Sequence, residues 1–299
     1  MCLAEEELHY FDRLTLITGH DAAMAMEKCR VIVFGLGGVG SWCAEALVRS
    51  GAGNMILVDS DLIQATNINR QVEATSSTIG RLKTEALEER LKDINPACSV
   101  FAFPLIFSGK TAELFNIPDA DYVIDAIDTL TFKLDLIETA LALGKKFFSS
   151  MGMAHKLDPT LIRTADIWET HGCPLARLVR QGLRKRNITG HFQAVYSPEK
   201  IPLLDYKSVA NRLVSDEIMA GSDKIMAEGD KTIAGSDGTM AGGGEINAPG
   251  GWDGGKKVIN GSSVTVTASA GMVLASLVIR DICERYGAPG LHNPGGRNE

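Results

Sequence analysis

The segment VIVFGLGGVGSW, residues 31–42, constrains the fold more than any other part of the chain. It is a hydrophobic run that breaks into four glycines, Gly35, Gly37, Gly38 and Gly40, three of which match the spacing G-x-G-x-x-G. Between a strand and a helix, such glycines let the backbone turn tightly and approach a phosphate group. The segment therefore predicts a nucleotide site, and it serves a dinucleotide and ATP equally well.

Apolar segments alternate with helical ones through the first half of the chain. The predicted strands are RVIVF, NMILVD, SVFAF, DYVIDAID and KKFFSS, with TLIRTADI as a further candidate. Helices are predicted from Ser41, over RLKTEALEERLKDI and over TFKLDLIETALAL, the last one capped by Gly144. Strands and helices of these lengths predict an α/β fold with a doubly wound, mostly parallel, Rossmann-like sheet.

The sequence divides into four parts. We predict an N-terminal arm over residues 1–27, a nucleotide-binding domain over 28–214, a flexible insertion over 215–257, and a C-terminal strand and helix over 258–299 that complete the domain. The insertion contains four imperfect seven-residue repeats. Its dense Gly and Ser residues prevent the sustained apolar stripe of a coiled coil, so we interpret it as flexible.

Residues 258–279 carry no charge over a length that would span a bilayer. The first half of this segment contains Asn260 and several Ser and Thr residues, which make it too polar for an easy span. We instead predict a strand over Ser263–Thr267, followed by a buried helix over Ala268–Tyr286.

Composition limits the partners and the compartment. With a net charge of −7, the surface as a whole does not attract nucleic acid, so any such contact requires a local basic patch. The six cysteines are scattered and form no C-x-x-C pair, which argues against a disulfide framework and a structural zinc site. The first ten residues are acidic, and no signal peptide is predicted. These features predict a cytoplasmic protein with no DNA or membrane partner.

Charged residues after the second strand favour ATP over a dinucleotide. Asp59 ends that strand, where a carboxylate can hold ribose hydroxyls. Asn67, Arg70 and Gln71 follow it, and Lys83 lies near the start of the next helix. A triphosphate whose pyrophosphate must leave needs fixed cations, which Arg70 and Lys83 supply.

Two further carboxylates, Asp125 and Asp128, lie at the end of the segment DYVIDAID. At the carboxyl edge of the predicted sheet, a carboxylate can hold Mg²⁺ that bridges phosphate oxygens. Asp125 is equally well explained as a structural hydrogen-bonding residue, and Asp128 as a helix N-cap. In the same way, Asp59 can be explained as a loop cap and Lys83 as a solvated helix residue, instead of as nucleotide ligands. The combination of all four in this order favours the nucleotide site.

These residues resemble the adenylating domain of the ubiquitin-activating-enzyme-like superfamily, the ThiF/MoeB group. The resemblance runs from about Phe11 to Asp166 and resumes over Ser262–Cys283. The segments that carry it are Gly35–Ser41, Asp59, NINRQ, Lys83 and DAID.

The resemblance implies roles for individual residues. Arg70 and Lys83 would steady the triphosphate of ATP, Asp128 would hold Mg²⁺, and Asp59 would bind the ribose. It also implies a homodimer, in which Arg13 of the arm segment FDRLTLITG reaches the phosphates in the partner's site.

Segments outside the nucleotide core indicate a branch of the superfamily. CPLARLVRQGLRKRNI, AVYSPE and the closing VTVTASAGMVLASLVIRDI are similar to the bacterial tRNA threonylcarbamoyladenosine dehydratases. The resemblance implies ATP-dependent dehydration of threonylcarbamoyladenosine next to the tRNA anticodon, through adenylation of the substrate carboxylate. The alternative is an adenylyltransferase for the Gly-Gly tail of a ubiquitin-like sulfur carrier, whose family typically has two C-x-x-C pairs that this sequence lacks. The use of a monovalent cation and a sulfur-transfer partner is left open.

The segment from 177 to 186 contains five basic residues and no acidic one. As a helix it would present a basic face opposite an apolar one, which predicts a contact with the RNA backbone; a solvated surface helix is the alternative. Cys173, just before it, is predicted to be non-catalytic or to position the substrate, because an intramolecular cyclisation needs no covalent relay. The predicted tRNA-binding residues are Arg177, Arg180, Arg184, Lys185 and Arg186.

Overall fold

The computed structural model describes residues 10–200 and 261–286. Within them the strands are β1 (Arg30–Phe34), β2 (Asn54–Val58), β3 (Ser99–Phe103), β4 (Tyr122–Asp125), β5 (Lys146–Ser150), β6 (Arg163–Asp166) and β7 (Gln193–Tyr196). The helices are α1 (Asp12–Thr18), α2 (His20–Lys28), α3 (Gly40–Arg49), α4 (Lys83–Ile94), α5 (Leu130–Ala142), α6 (Pro174–Lys185) and α7 (Val264–Arg285). The predicted insertion over 215–257 lies outside the described residues, and the division of the chain into four parts remains a prediction.

The strands form one sheet in the order β3-β2-β1-β4-β5-β7-β6. All neighbours are parallel except β6 and β7, which are antiparallel. The doubly wound, mostly parallel sheet is therefore confirmed, and TLIRTADI contributes strand β6. The strand order reverses between β1 and β4, and at such a reversal a crevice opens beyond the carboxyl ends of the strands.

The core lies on both faces of the sheet, which explains why β1 is apolar along its length rather than alternating. Val31 and Val33 belong to the cluster that packs with α3 and α7. Ile32 and Phe34 belong to the opposite cluster, with α5 and α6. Successive side chains of a strand point to opposite faces, so one short strand supports both helical layers.

The predicted strand over Ser263–Thr267 is wrong, because α7 begins at Val264 and continues to Arg285. Its β-branched start favours a strand, but the burial of Val266 and Thr267 outweighs that propensity, and Thr267 Oγ1 donates to Ser263 O at 3.1 Å within the first turn. Gly271 permits the packing: a Cβ there would lie 2.5 Å from Val39 O, so α7 lies almost directly on α3.

Among the residues that the structure describes, α7 is the one helix long and apolar enough to cross a membrane by length and composition. Half of its most apolar window is buried inside the fold. The buried residues Val266, Leu274 and Val278 belong to the core cluster that also contains α3. This is the arrangement of a core helix, as predicted for the buried helix in this region.

Candidate nucleotide site

Two of the predicted glycines are required by the close approach of neighbouring loops. Gly35 follows β1 with a φ of +86°, and a Cβ on it would lie 2.8 Å from Ala126 O, just beyond β4. A Cβ on Gly40 would lie 1.8 Å from Gly35 O. The loops after β1 and β4 therefore touch at the point where the strand order reverses. There α3 begins at Gly40, and the first backbone N–H groups of a helix are suited to bind phosphate oxygens.

The other two glycines lie against side chains from distant segments. A Cβ on Gly38 would lie 3.0 Å from Thr267 Oγ1 and 3.1 Å from Arg70 Cγ. A Cβ on Gly37 would lie 3.9 Å from Gln71 Nε2. The structure thus brings Arg70 and Gln71 to the glycine loop, as predicted. It also adds Thr267 of α7, which the sequence reasoning missed because it placed this residue in a strand.

Asp59 links the end of β2 to the glycine loop. Its two carboxylate oxygens accept hydrogen bonds from Leu36 N at 2.7 Å and from Asp61 N at 2.8 Å. Burial raises the pKa of Asp59, although the charge of nearby Lys83 opposes this change. Asp59 therefore lies beside the loop where a nucleotide would bind, and its role as a ribose ligand stays a prediction.

Lys83 is buried at the start of α4 and is no solvated helix residue. Its Nζ lies 2.8 Å from Asp61 Oδ2 and 3.9 Å from Asp59 Oδ2. Burial disfavours the charge, but the two carboxylates outweigh it and raise the pKa of Lys83. The fold therefore keeps a charged ammonium close to the glycine loop, next to the exposed carboxylate of Asp61.

Arg70 belongs to a segment that several hydrogen bonds hold in place. Its Nη1 donates to Thr66 O and to Asn69 Oδ1, both at 2.9 Å. Trp42 Nε1 donates to Arg70 O at 3.0 Å, and Asn69 Nδ2 donates to Ser262 O at 2.9 Å. These bonds join the segment to α3 and to the residues before α7, so two helices of the same layer position the arginine.

Asn67 is engaged within its own turn. The residue is buried, and its Oδ1 accepts a hydrogen bond from Gln64 N at 3.0 Å, closing the short helical turn Ala65–Asn67. This bond gives the side chain a structural role in the loop that carries Arg70. The assignment of Asn67 as a nucleotide-binding residue stays a prediction.

A buried carboxyl group, Glu73, was missed by the sequence reasoning. It is 2% exposed, and neither of its oxygens has a hydrogen-bond partner among the described residues; the same is true of Gln71 Oε1. Burial raises the pKa of Glu73 to about 7. The signal that could have found it is its place two residues after Gln71, in the segment that follows the predicted cation Arg70.

The two carboxylates after β4 have different environments. Asp125 is fully buried, and its Oδ2 lies 2.7 Å from both Lys133 Nζ and Ser149 Oγ, while its Oδ1 accepts from Ile127 N at 3.0 Å. These contacts favour the structural interpretation of Asp125, which fixes the loop beyond β4. Asp128 is exposed in that loop.

The carboxylate of Asp128 has the exposure and the oxygen atoms that a metal ligand requires. It is not a helix N-cap, because Thr129 holds that position before α5, and the described contact of its carboxylate is a hydrogen bond from Thr129 Oγ1 at 3.3 Å. The loop that carries it touches Gly35. An exposed carboxylate beside the glycine loop fits the oxygen ligands that Mg²⁺ prefers.

Helix α1, which carries Arg13, begins beside the end of α3 that is opposite to the glycine loop. Arg13 lies on α1, and the preceding Phe11 packs against Gly51, just beyond the last residue of α3. A helix of this length is about 15 Å long, and the glycine loop is at its other end. The contribution of Arg13 to phosphate binding in a partner's site stays a prediction.

The basic residues near α6 divide into two groups. Arg177, Arg184 and Lys185 are exposed. Arg186 pairs with Asp135 and Glu138 at 2.8 Å each, and Arg180 donates to Thr170 Oγ1, so these two are engaged within the fold. Three of the five predicted tRNA-binding residues therefore remain on the surface, while a hydrogen bond and ion pairs anchor the helix to its neighbours.

Cys173 is buried at the N-cap of α6, and its Sγ lies near Gly152. The thiol has little access to solvent in this conformation. This environment agrees with the predicted non-catalytic role, since a covalent relay requires a reachable thiolate.

Comparisons with known proteins relate this chain to one protein family. A model of the ThiF family matches residues 11–293. A tRNA threonylcarbamoyladenosine dehydratase of Bacillus subtilis is 41% identical over 210 residues, which is 70% of this chain and 82% of that protein. The enzyme of the same name from Haemophilus influenzae is 42% identical over 165 residues, 55% of this chain and 63% of that protein.

Solved structures have the same fold. The crystal structure of an Escherichia coli tRNA N6-threonylcarbamoyladenosine dehydratase in complex with ATP superposes with a TM-score of 0.72, at 24% identity, over 97% of this chain and 100% of that one. The similarity therefore includes the topology of the whole described sheet and its helical layers.

Proposed function

The chain belongs to the ThiF family, and from this premise we propose that it catalyses the ATP-dependent dehydration of threonylcarbamoyladenosine in tRNA. The activity is the one named for its Bacillus subtilis relative. The observation that carries the proposal is the position of buried Lys83 and of Arg70 around a glycine loop at the reversal of the strand order. A nicotinamide site needs no such pair of cations, whereas a leaving pyrophosphate does.

The reaction begins when the carboxylate of the threonylcarbamoyl group attacks the α-phosphate of ATP and pyrophosphate leaves. The mixed anhydride is then attacked from within the same side chain, which closes a ring and releases AMP. The net change is the loss of water, driven by ATP. Backbone N–H groups at the start of α3 hold the phosphates, while Lys83 and Arg70 stabilise the charge that develops on the leaving group.

Asp128 is the residue that would hold Mg²⁺, which when bound neutralises phosphate charge. Buried Asp125 supports it by fixing the loop between β4 and α5. Asp59, tied to Leu36 N, lies where it would accept hydrogen bonds from the ribose hydroxyls. The amide of Gln71 lies beside Gly37, and its buried oxygen has no hydrogen-bond partner among the described residues, so it would position the nucleotide together with the loop backbone.

We further propose a cytoplasmic homodimer that takes tRNA as its substrate. Arg13 would then act on the phosphates in the partner's site, because its own glycine loop lies at the far end of α3. The exposed residues Arg177, Arg184 and Lys185 provide the local basic patch that an acidic protein needs to contact an RNA backbone.

Mass spectrometry of tRNA incubated with the protein, ATP and Mg²⁺ tests the proposal. We expect threonylcarbamoyladenosine to lose one water only when ATP is present, with AMP and pyrophosphate released in equal amounts. Unchanged tRNA would contradict the proposal, particularly if pyrophosphate exchange appeared only with a small carrier protein that ends in Gly-Gly. That result would instead support the adenylyltransferase alternative.

A further inference from the structure

An open cavity of about 460 Å³ lies between α6 and the short turn Ile167–Glu169, and the nucleotide site does not use it. Its volume is in the range of about 300–1,000 Å³ that is common for small-ligand sites. The residues that line it offer an aromatic ring, a guanidinium, an amide and a hydroxyl. They are Trp168, Arg184, Asn187, Ile188 and Thr189.

The indole of Trp168 is held rigidly at the wall of this cavity. Its Nε1 donates to Gly190 O at 3.0 Å, and its backbone N donates to Asp166 Oδ1 at 2.9 Å. Because the indole donor already has a partner, the ring contributes its apolar surface rather than a hydrogen bond. The ring is only partly buried, so some of that surface remains open.

Arg184 is placed for stacking rather than for pairing with a carboxylate. Its guanidinium carbon lies 5.3 Å from the centroid of the Trp168 ring, a cation–π distance. Arg186, two residues along the chain, is instead held by Asp135 and Glu138. The cavity therefore presents a planar cation over a fixed aromatic ring.

The far side of the cavity supplies hydrogen-bonding groups. Asn187 follows α6 with a φ of +56°, the left-handed conformation that Asn tolerates better than most residues, and this turn ends the helix beside the ring. Both Asn187 and Thr189 are exposed. An amide offers donors and an acceptor together, which is what the edge of a nucleobase requires.

We propose that this cavity receives one unpaired base of the tRNA substrate, a proposal that rests on the proposed function. Proteins read single-stranded RNA by stacking a splayed-out base on an aromatic side chain or an arginine plane and by hydrogen-bonding its edge. The adjacent exposed cations Arg177 and Lys185 would hold the backbone on either side of that base. The cavity selects an unstacked loop nucleotide, whereas the basic helix alone would bind any RNA.

The substitution Arg184→Lys separates stacking from charge, because it keeps one positive charge and loses the planar guanidinium. Stacking of one base contributes about 1–3 kcal/mol, so we expect tRNA affinity to fall roughly 5- to 160-fold while the slope of log affinity against log salt stays unchanged. Arg177→Gln, outside the cavity on the same helix, is the matched control. Arg177→Gln should reduce the magnitude of the slope of log affinity against log salt by about one without removing the preference for an unpaired base.

The decisive measurement pairs these variants with anticodon stem-loops that carry one abasic nucleotide at successive loop positions. We expect the unmodified protein to lose affinity at one position, and Arg184→Lys and Asn187→Ala to be insensitive to the same change. Thermal unfolding of each variant verifies its fold. Equal affinity of Arg184→Lys and the unmodified protein, with no sensitive loop position, would overturn the base pocket. The dehydration assay at saturating tRNA is independent of that result, so failure of the pocket and failure of the proposed function are distinguishable.

Discussion

At the scale of single residues, burial separates side chains that the sequence made look alike. Asp125 and Asp128 lie three positions apart, yet the first is sealed against Lys133 and Ser149 and the second is exposed. The same contrast distinguishes Arg186, engaged with two carboxylates, from Arg184. Of these two pairs, only Asp128 and Arg184 are exposed and can therefore contact a ligand at the surface.

Replacement of Lys83 by Met should remove the adenylation activity, and thermal unfolding verifies that the variant is folded. Loss of one pre-positioned group that stabilises transition-state charge lowers kcat by about 10²- to 10³-fold, and we expect that loss in ATP-dependent pyrophosphate release. Lys92→Met, an exposed position on the same helix, is the control and should keep its activity. Equal activity of the two variants would contradict a role of Lys83 in catalysis.

Glu73 should make the stability of the protein depend on pH. Its pKa is raised by burial from 4.5 to about 7, so between these values the folded state holds more protons than the unfolded state. The free energy of unfolding therefore decreases as pH rises through this interval, by about 3 kcal/mol for this one group. Glu73→Gln should abolish that dependence.

Urea unfolding of both proteins at pH 5 and pH 8 measures this effect. The free energy of unfolding of Glu73→Gln minus that of the unmodified protein should be larger at pH 8 than at pH 5. Taking this difference cancels the contributions of other titrating groups, which both proteins share. Glu85→Gln, exposed on α4, should show no such change. A pH-independent difference for Glu73→Gln would mean that the carboxyl keeps its ordinary pKa in the folded protein.

At the scale of elements, the site consists of loop ends that the core holds together. The loops after β1 and β4 touch through Gly35 and Ala126, and the Asp125–Lys133 ion pair joins the second loop to α5. The first turn of α7, far away in the chain, closes on Gly38. Contacts with these elements therefore constrain the glycine loop.

Lys133→Met should destabilise the fold by about 3–5 kcal/mol, because it leaves the Asp125 carboxylate buried without its counter-charge. The double variant Lys133→Met with Asp125→Asn should recover much of that loss, since an amide retains acceptors and carries no charge. Denaturant unfolding of the single and double variants measures both steps. Additive losses would show that the two residues are not coupled.

At the scale of the whole molecule, α1, which carries Arg13, begins beside the end of α3 that is opposite to the glycine loop. If the arm serves a partner, two inactive variants should complement each other. Arg13→Ala and Lys83→Ala mixed after unfolding and refolding should regain about a quarter of the unmodified activity, because half of randomly paired dimers contain one intact site. The unmixed variants should stay inactive. Failure of the mixture to recover would contradict action between subunits.

Local sequence patterns were enough to predict a doubly wound, mostly parallel sheet and a site for ATP. Apolar runs on both faces of a strand, glycine spacing and the cations after β2 are local patterns, and each follows from backbone geometry or charge within a short segment. That is why the parallel sheet, the glycine loop and the closeness of Arg70 to it could be predicted before any coordinates were known.

Other features depend on contacts between distant segments, and they are visible only in the folded structure. These features involve residues whose partners lie elsewhere in the chain. They are the helical start of α7, the contact of Thr267 with Gly38, the burial of Glu73 and the stacking of Arg184 on Trp168. Burial outweighed the strand propensity of VTVT, and burial also separated structural Asp125 from exposed Asp128. Local pattern cannot supply this information, because solvent exclusion is a property of the packed fold.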